Sequence, residues 1–128
     1  MSNTTPITGT DFVALATEDF DRAAEFYGKV LGLKEGKRWG EMPAGEFETG
    51  DITIAVMQMD AFGQEFQASK APLEFRVDDF EAAKAELESR GVEFVTDTID
   101  SGVCKQAIFT DPDGNALAIH HRYAPGAP

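Results

Sequence analysis

The chain has 128 residues, 42% of them hydrophobic, with 23 acidic against 11 basic side chains and a net charge of −12. That length and apolar content suit one globular domain, and no apolar run approaches the roughly 18 residues a membrane-spanning helix needs. Residues 1–63 carry 11 acidic and 5 basic side chains and residues 64–128 carry 12 and 6, so each half is −6. No basic cluster is left to displace counterions from a nucleic acid, whereas the field favours a cationic ligand.

Met1 to Thr8 has no hydrophobic period and reads as a loose arm; Met1 to Thr10 is too polar for a secretory signal. Asp11 to Thr17 reads as a strand, with Phe12, Ala14 and Ala16 on one face and Val13 and Leu15 on the other. A helix follows. Phe20, Ala23, Ala24, Tyr27, Val30 and Leu31 recur at helical spacing, acids fill its first turn, and Gly32 stops it. Leu33 to Met42 is expected as a bent strand carrying Trp39, Pro43-Ala44-Gly45 as a turn, and Glu46–Thr49 with Ile52–Met57 as a hairpin. Met59 to Lys70 mixes Gly, Gln and Ser with Phe62 and Phe66 and reads as a linker.

The order then repeats. Pro72 to Val77 is expected as a strand, and Asp78 with Glu81 as a capping box opening a second helix striped by Phe80, Ala83 and Leu87. Gly91 stops that helix, and Val92–Thr96, Cys104–Phe109 and Ala116–His120 are the remaining strands. The last two flank Asp111-Pro112-Asp113-Gly114-Asn115, in which Pro presets φ, Gly opens positive φ and the Asp and Asn side chains bond nearby backbone. Tyr123 to Pro128 reads as a frayed tail. Asp19-Phe20-Asp21 recurs as Asp79-Phe80-Glu81, and Ile52–Val56 matches Asn115–Ile119, at offsets of 60 and 63 residues. A doubled β-α-β-β-β order is expected, an α+β fold. Leu15, Val30, Ile54, Phe75, Leu87 and Ile119 are its expected core. The single cysteine, Cys104, excludes an internal disulfide, reads as a semi-buried strand residue and fits a reducing cytoplasm.

Three stretches carry a family resemblance: D-F-D-R-A-A-E-F-Y-G-K-V-L-G-L, V-D-D-F-E-A-A-K-A-E-L-E-S-R-G-V and D-P-D-G-N. Over roughly residues 10 to 122 the chain resembles the vicinal oxygen chelate superfamily. That superfamily holds glyoxalase I, extradiol dioxygenases, fosfomycin-modifying enzymes and bleomycin-binding resistance proteins. The resemblance implies one glyoxalase-like domain, with module one at about 10–59, a linker at about 60–70 and module two at about 71–122. Two modules would then form an open, U-shaped β-sheet cleft, and the protein would be a homodimer with the cleft completed at or near the interface.

The resemblance also implies where metal ligands would stand. A histidine belongs at Phe12 and its counterpart at Pro72; carboxylates belong at Ala55 and Ala118. None of these four can coordinate a cation, which needs imidazole nitrogen and carboxylate oxygen converging on one ion. No metal and no other cofactor is therefore expected, and the four positions become an apolar floor. Glu74, Arg76 and His120 share its parity and are expected at the cleft; Trp39, Met57 and Phe62 are candidate walls for a flat or apolar ligand. Neither a nucleophile constellation nor a Gly-rich phosphate loop stands out. The leading expectation is a metal-free small-molecule binder that sequesters a toxic or antibiotic compound, cationic or aromatic. The alternatives are a lyase or isomerase using Glu74 or His120 as base, and a structural or regulatory module with a vestigial cleft. Neither nucleic acid nor membrane is an expected partner.

Overall fold

Eight strands and two helices follow one another as two β-α-β-β-β modules in the computed structural model, which describes residues 4–128. The first three residues of the expected N-terminal arm lie outside that range; residues 4–12 are exposed and outside any helix or strand. Module one comprises β1 (Val13–Thr17), α1 (Phe20–Glu25), β2 (Lys34–Arg38), β3 (Ala44–Glu48) and β4 (Thr53–Gln58). Module two comprises β5 (Leu73–Arg76), α2 (Phe80–Ser89), β6 (Ile99–Asp100), β7 (Cys104–Thr110) and β8 (Ala116–Arg122). The sheets have the same order, β1-β4-β3-β2 and β5-β8-β7-β6. Their registers repeat as well. Ala14 lies opposite Ala55 in the parallel β1–β4 pair, and Glu74 lies opposite Ala118 in the parallel β5–β8 pair.

Both helices start for the same reason. Asp19 accepts a hydrogen bond from the Arg22 amide at 3.2 Å, and Asp79 accepts one from the Ala82 amide at 3.1 Å. In module two the cap is therefore Asp79 rather than Asp78. The first helical residue must be Phe80, which is 4% exposed, just as Phe20 at 3% begins α1. After Glu25 the first helix widens into a π-turn over Phe26–Val30, closed by Leu31 donating to the Phe26 carbonyl at 2.9 Å and ended by Gly32 at φ +72°. Gly45 is constrained by space. It belongs to β3 rather than to a turn, and a Cβ there would stand 3.0 Å from both the Phe20 ring and the Arg38 stem. Arg38 in turn lies over the Phe20 ring, 4.6 Å from its centroid.

Val92–Thr96 does not form the regular strand expected. Phe94 makes an isolated bridge to Phe109, and the Thr96 hydroxyl accepts the Ile108 amide at 3.0 Å, taking the place of a backbone acceptor. Regular pairing resumes only at Ile99–Asp100. At the C-terminus, Tyr123 and Ala124 both donate to the Val103 carbonyl, at 3.0 and 3.1 Å.

One apolar core serves both modules, with Leu15, Phe20, Tyr27, Phe47 and Ile54 from the first and Phe80, Phe109, Leu117 and Ile119 from the second. Of the expected core, Leu15, Ile54 and Ile119 are buried, whereas Val30, Phe75 and Leu87 are only half-buried. The D-P-D-G-N turn locks the modules together. Buried Asp111 accepts the Tyr27 hydroxyl at 2.6 Å, the Asn115 side-chain amide at 2.8 Å and the Asp113 and Asn115 backbone amides at 2.9 Å. Asn115 also donates to the Ala16 carbonyl at 2.8 Å and accepts the Ser69 amide at 2.9 Å. Asp113 takes the Thr17 hydroxyl at 2.5 Å, the Glu18 amide at 2.9 Å and Arg22 at 2.8 Å. Every acceptor that burial strips of water here has a partner. Among the described residues no helix is long and apolar enough to cross a membrane.

Candidate functional site

Strand alternation gives each sheet a core face, covered by its helix, and an inner face. On the first sheet the inner face carries Phe12, which directly precedes β1, with Ala14 and Ala16 on β1, Ala55 and Met57 on β4 and Ala44, Glu46 and Glu48 on β3. Trp39, just past β2, joins them, because its amide bonds the Ala44 carbonyl at 3.1 Å. Its indole N–H donates to Glu46 Oε2 at 2.8 Å. Phe12 meets the indole edge-on at 5.2 Å and Phe62, from the linker's 3₁₀ turn, at 6.4 Å. Three separate segments thus converge on one aromatic cluster with a carboxylate fixing its centre. Phe12 remains 38% exposed.

On the second sheet the inner face carries Pro72 ahead of β5, Glu74 and Arg76 on it, Ala118 and His120 on β8, and Gln106 on β7. With its amide nitrogen turned to the carboxylate, Gln106 donates to both Glu74 oxygens, at 3.1 and 3.2 Å. Desolvation raises the Glu74 carboxyl above its ordinary value, and the neighbouring His120 opposes that shift. Arg76 does not pair with Glu74. It reaches Asp51, on the β3–β4 turn of module one, at 3.0 Å. His121 faces the other way, with its Nδ1 3.0 Å from the Val77 carbonyl.

Glu74, Arg76 and His120 border one cavity of about 490 Å³ between the modules. Phe12, Trp39, Ala55, Met57, Pro72 and Ala118 do not line it. Among the described residues no strand pairing joins the two sheets, so the two inner faces stand on separate sheets. Ala55 and Ala118 are each 0% exposed, so neighbouring side chains close over both, and neither is open floor.

The residues do not fit the metal centre that the fold resemblance implies. Phenylalanine, proline and two alanines hold no donor atom, and among the described residues no group of three or more His, Cys, Asp and Glu is gathered to hold an ion. Two participants went unread in the sequence, Glu46 and Gln106. Alternation along β3 and β7 marks both as inward, but nothing local says which partner each would meet.

A family model described as Glyoxalase/Bleomycin resistance protein/Dioxygenase superfamily matches residues 9–119. The uncharacterized protein YraH of Bacillus subtilis (strain 168) is 28% identical over 120 residues, covering 84% of this chain and 94% of its own. Among solved structures, a glyoxalase family protein from Bacillus anthracis superposes with a TM-score of 0.76 at 25% identity, covering 95% of this chain and 99% of that one. TnmS3, an antibiotic binding protein from Streptomyces sp. CB03234, has a TM-score of 0.76 at 21% identity, covering 93% and 99%.

Proposed function

Starting from a chain that belongs to the glyoxalase/bleomycin resistance protein/dioxygenase superfamily, we propose that it binds and sequesters a cationic, partly aromatic small molecule without a metal ion. The observation that carries this is the replacement of metal-ligand positions by Phe12, Ala55, Pro72 and Ala118, beside an aromatic cluster held by Glu46. The ligand would lie against Trp39 and Phe12, with its positive charge near Glu46 and, on the second sheet, Glu74. Cation–π attraction and a net charge of −12 both favour that sign. The antibiotic-binding neighbour supports the reading at the level of fold alone.

The cleft itself is completed by a second copy. β1 and β5 are edge strands, each with one unpaired side. Exposed edges invite pairing, and Phe12, just before β1, and Val13, its first residue, are 38% and 37% exposed. A homodimer would bring one copy's first sheet against the other copy's second. Cys104 is a buried free thiol, which suits the reducing cytoplasm.

Glu74 supports a second reading, a lyase or isomerase reaction with the raised carboxyl as general base beside His120. A thermal-shift screen of cationic aromatic antibiotics, thiol conjugates and divalent metals separates the two. Sequestration predicts that a cationic compound raises the melting temperature of chelator-treated protein and is recovered unchanged. Turnover abolished in Glu74→Gln would favour the enzyme, and one tightly held metal per chain would overturn the metal-free site.

A further inference from the structure

We propose that the cavity between the modules is a second ligand site, for an uncharged apolar molecule, with its base on the core side of the sheets and a mouth that shares Glu74, Arg76 and His120 with the inner face of the second sheet. Its base reaches the centre of the protein, since Ile54, Phe109 and Ile119 line it and are 0%, 0% and 2% exposed. Its walls are apolar side chains from both modules, Leu31 and Leu33 on one side and Phe75 and Leu87 on the other. Phe75 and Leu87 sit at core positions of β5 and α2 yet stay half-buried, because they line the cavity that separates them from module one. Close-packed interiors seldom leave voids larger than a water molecule. This one, at about 490 Å³, falls in the size range of small-molecule sites.

The chemistry of the occupant follows from what faces the space. The base is lined by the apolar side chains of Ile54, Phe109 and Ile119, and among the described residues no buried side-chain nitrogen or oxygen lacks a partner, so no orphaned polar side chain there awaits a ligand. At the mouth stand the carboxylates of Asp51, Glu74 and Glu86 and the basic side chains of Arg76, Arg122 and His120, of which Arg76 pairs with Asp51. Counting His as neutral, three carboxylates against two guanidiniums leave a net charge of only −1 there, against −12 for the whole chain, so charge selects far less at this opening than the apolar base does. The Arg76–Asp51 pair bridges the modules at the opening with both side chains more than half exposed, at 62% and 55%. Such a pair holds little energy, about 0–1 kcal/mol, and can part to admit a ligand.

The test uses N-phenyl-1-naphthylamine, an uncharged dye whose emission rises in apolar surroundings, titrated into the full chain. Wild type should bind it saturably, one per chain. Ala83 lines the cavity from α2, and Ala83→Phe should fill the space and weaken binding by about tenfold or more. Leu31→Phe fills it from module one and should do the same, which keeps the result readable if one variant folds poorly. Trp39→Ala, on the inner face, should leave dye affinity unchanged. Equal loss in Trp39→Ala, or unchanged affinity in both filling variants, overturns the proposal. So does dye binding that vanishes as protein concentration rises, which would assign the space to a second copy of the chain.

Discussion

At the scale of single residues, Tyr27 and Asp111 show how a buried polar pair fixes the relation of two modules. Tyr27 is 0% exposed, and its hydroxyl donates to Asp111 across the two modules at 2.6 Å. Tyr27→Phe keeps the packing but leaves a buried carboxylate short of a donor, which should cost about 1–3 kcal/mol in urea unfolding. A pH dependence comes with it. Burial and then the Asp111 charge raise the Tyr27 hydroxyl far above its ordinary value of 10.0. Stability from this group is therefore intact below about pH 10 and falls above it, because the unfolded chain then releases a proton that the folded chain retains. Wild type should lose stability between pH 9 and 11 more steeply than Tyr27→Phe. Parallel slopes would mean that the hydroxyl is not held as described. The sequence marked Asp111 as a turn residue and Tyr27 as part of a helical stripe. Their 84-residue separation is why neither signal pointed to the other.

At the scale of elements, legibility followed local chemistry. Both helices, the D-P-D-G-N hairpin and the repeated strand order are written in short-range patterns of apolar spacing, caps and turns, and they stand where those patterns put them. The second helix begins one residue late against expectation because two aspartates compete for the cap and burial of Phe80 decides between them. The 60-residue offset to Asp19 already contained that answer. Val92–Thr96 misleads for the opposite reason: its strand-like composition is real, but a threonine side chain takes the ladder position. Gly45 follows Pro43-Ala44 in a turn-like composition, whereas what it supplies is room beneath Phe20. Gly45→Ala should therefore lower stability. The gain of about 0.5–1 kcal/mol from a stiffer unfolded chain is outweighed by about 1–3 kcal/mol of overpacking against a buried ring. An unchanged denaturation midpoint would show that Phe20 and Arg38 can yield at little cost.

At the scale of the whole molecule, the fold was readable and the site only in part. Parity along β5 and β8 brought Glu74, Arg76 and His120 to one place. It gave no information about Arg76 meeting Asp51 rather than Glu74, since that contact depends on how the modules sit together. The alanines at 55 and 118 look like open floor in a sequence, but neighbours cover them. Of the residues proposed to face a ligand, the aromatic cluster of Phe12, Trp39 and Phe62 stays at least partly exposed, gathered from segments up to 50 residues apart. The central claim, metal-free capture of a cationic aromatic compound at that cluster, is tested most directly by calorimetric titration. The best hit from the thermal-shift screen is titrated into chelator-treated wild type, Trp39→Ala and Glu74→Gln. Wild type should bind it without added metal. Trp39→Ala should weaken it by about tenfold or more, the loss of one stacking and cation–π platform, and Glu74→Gln should weaken it most at low salt, where charges are least screened. Equal affinities in all three proteins, or binding that appears only after a divalent metal is restored, would contradict the account.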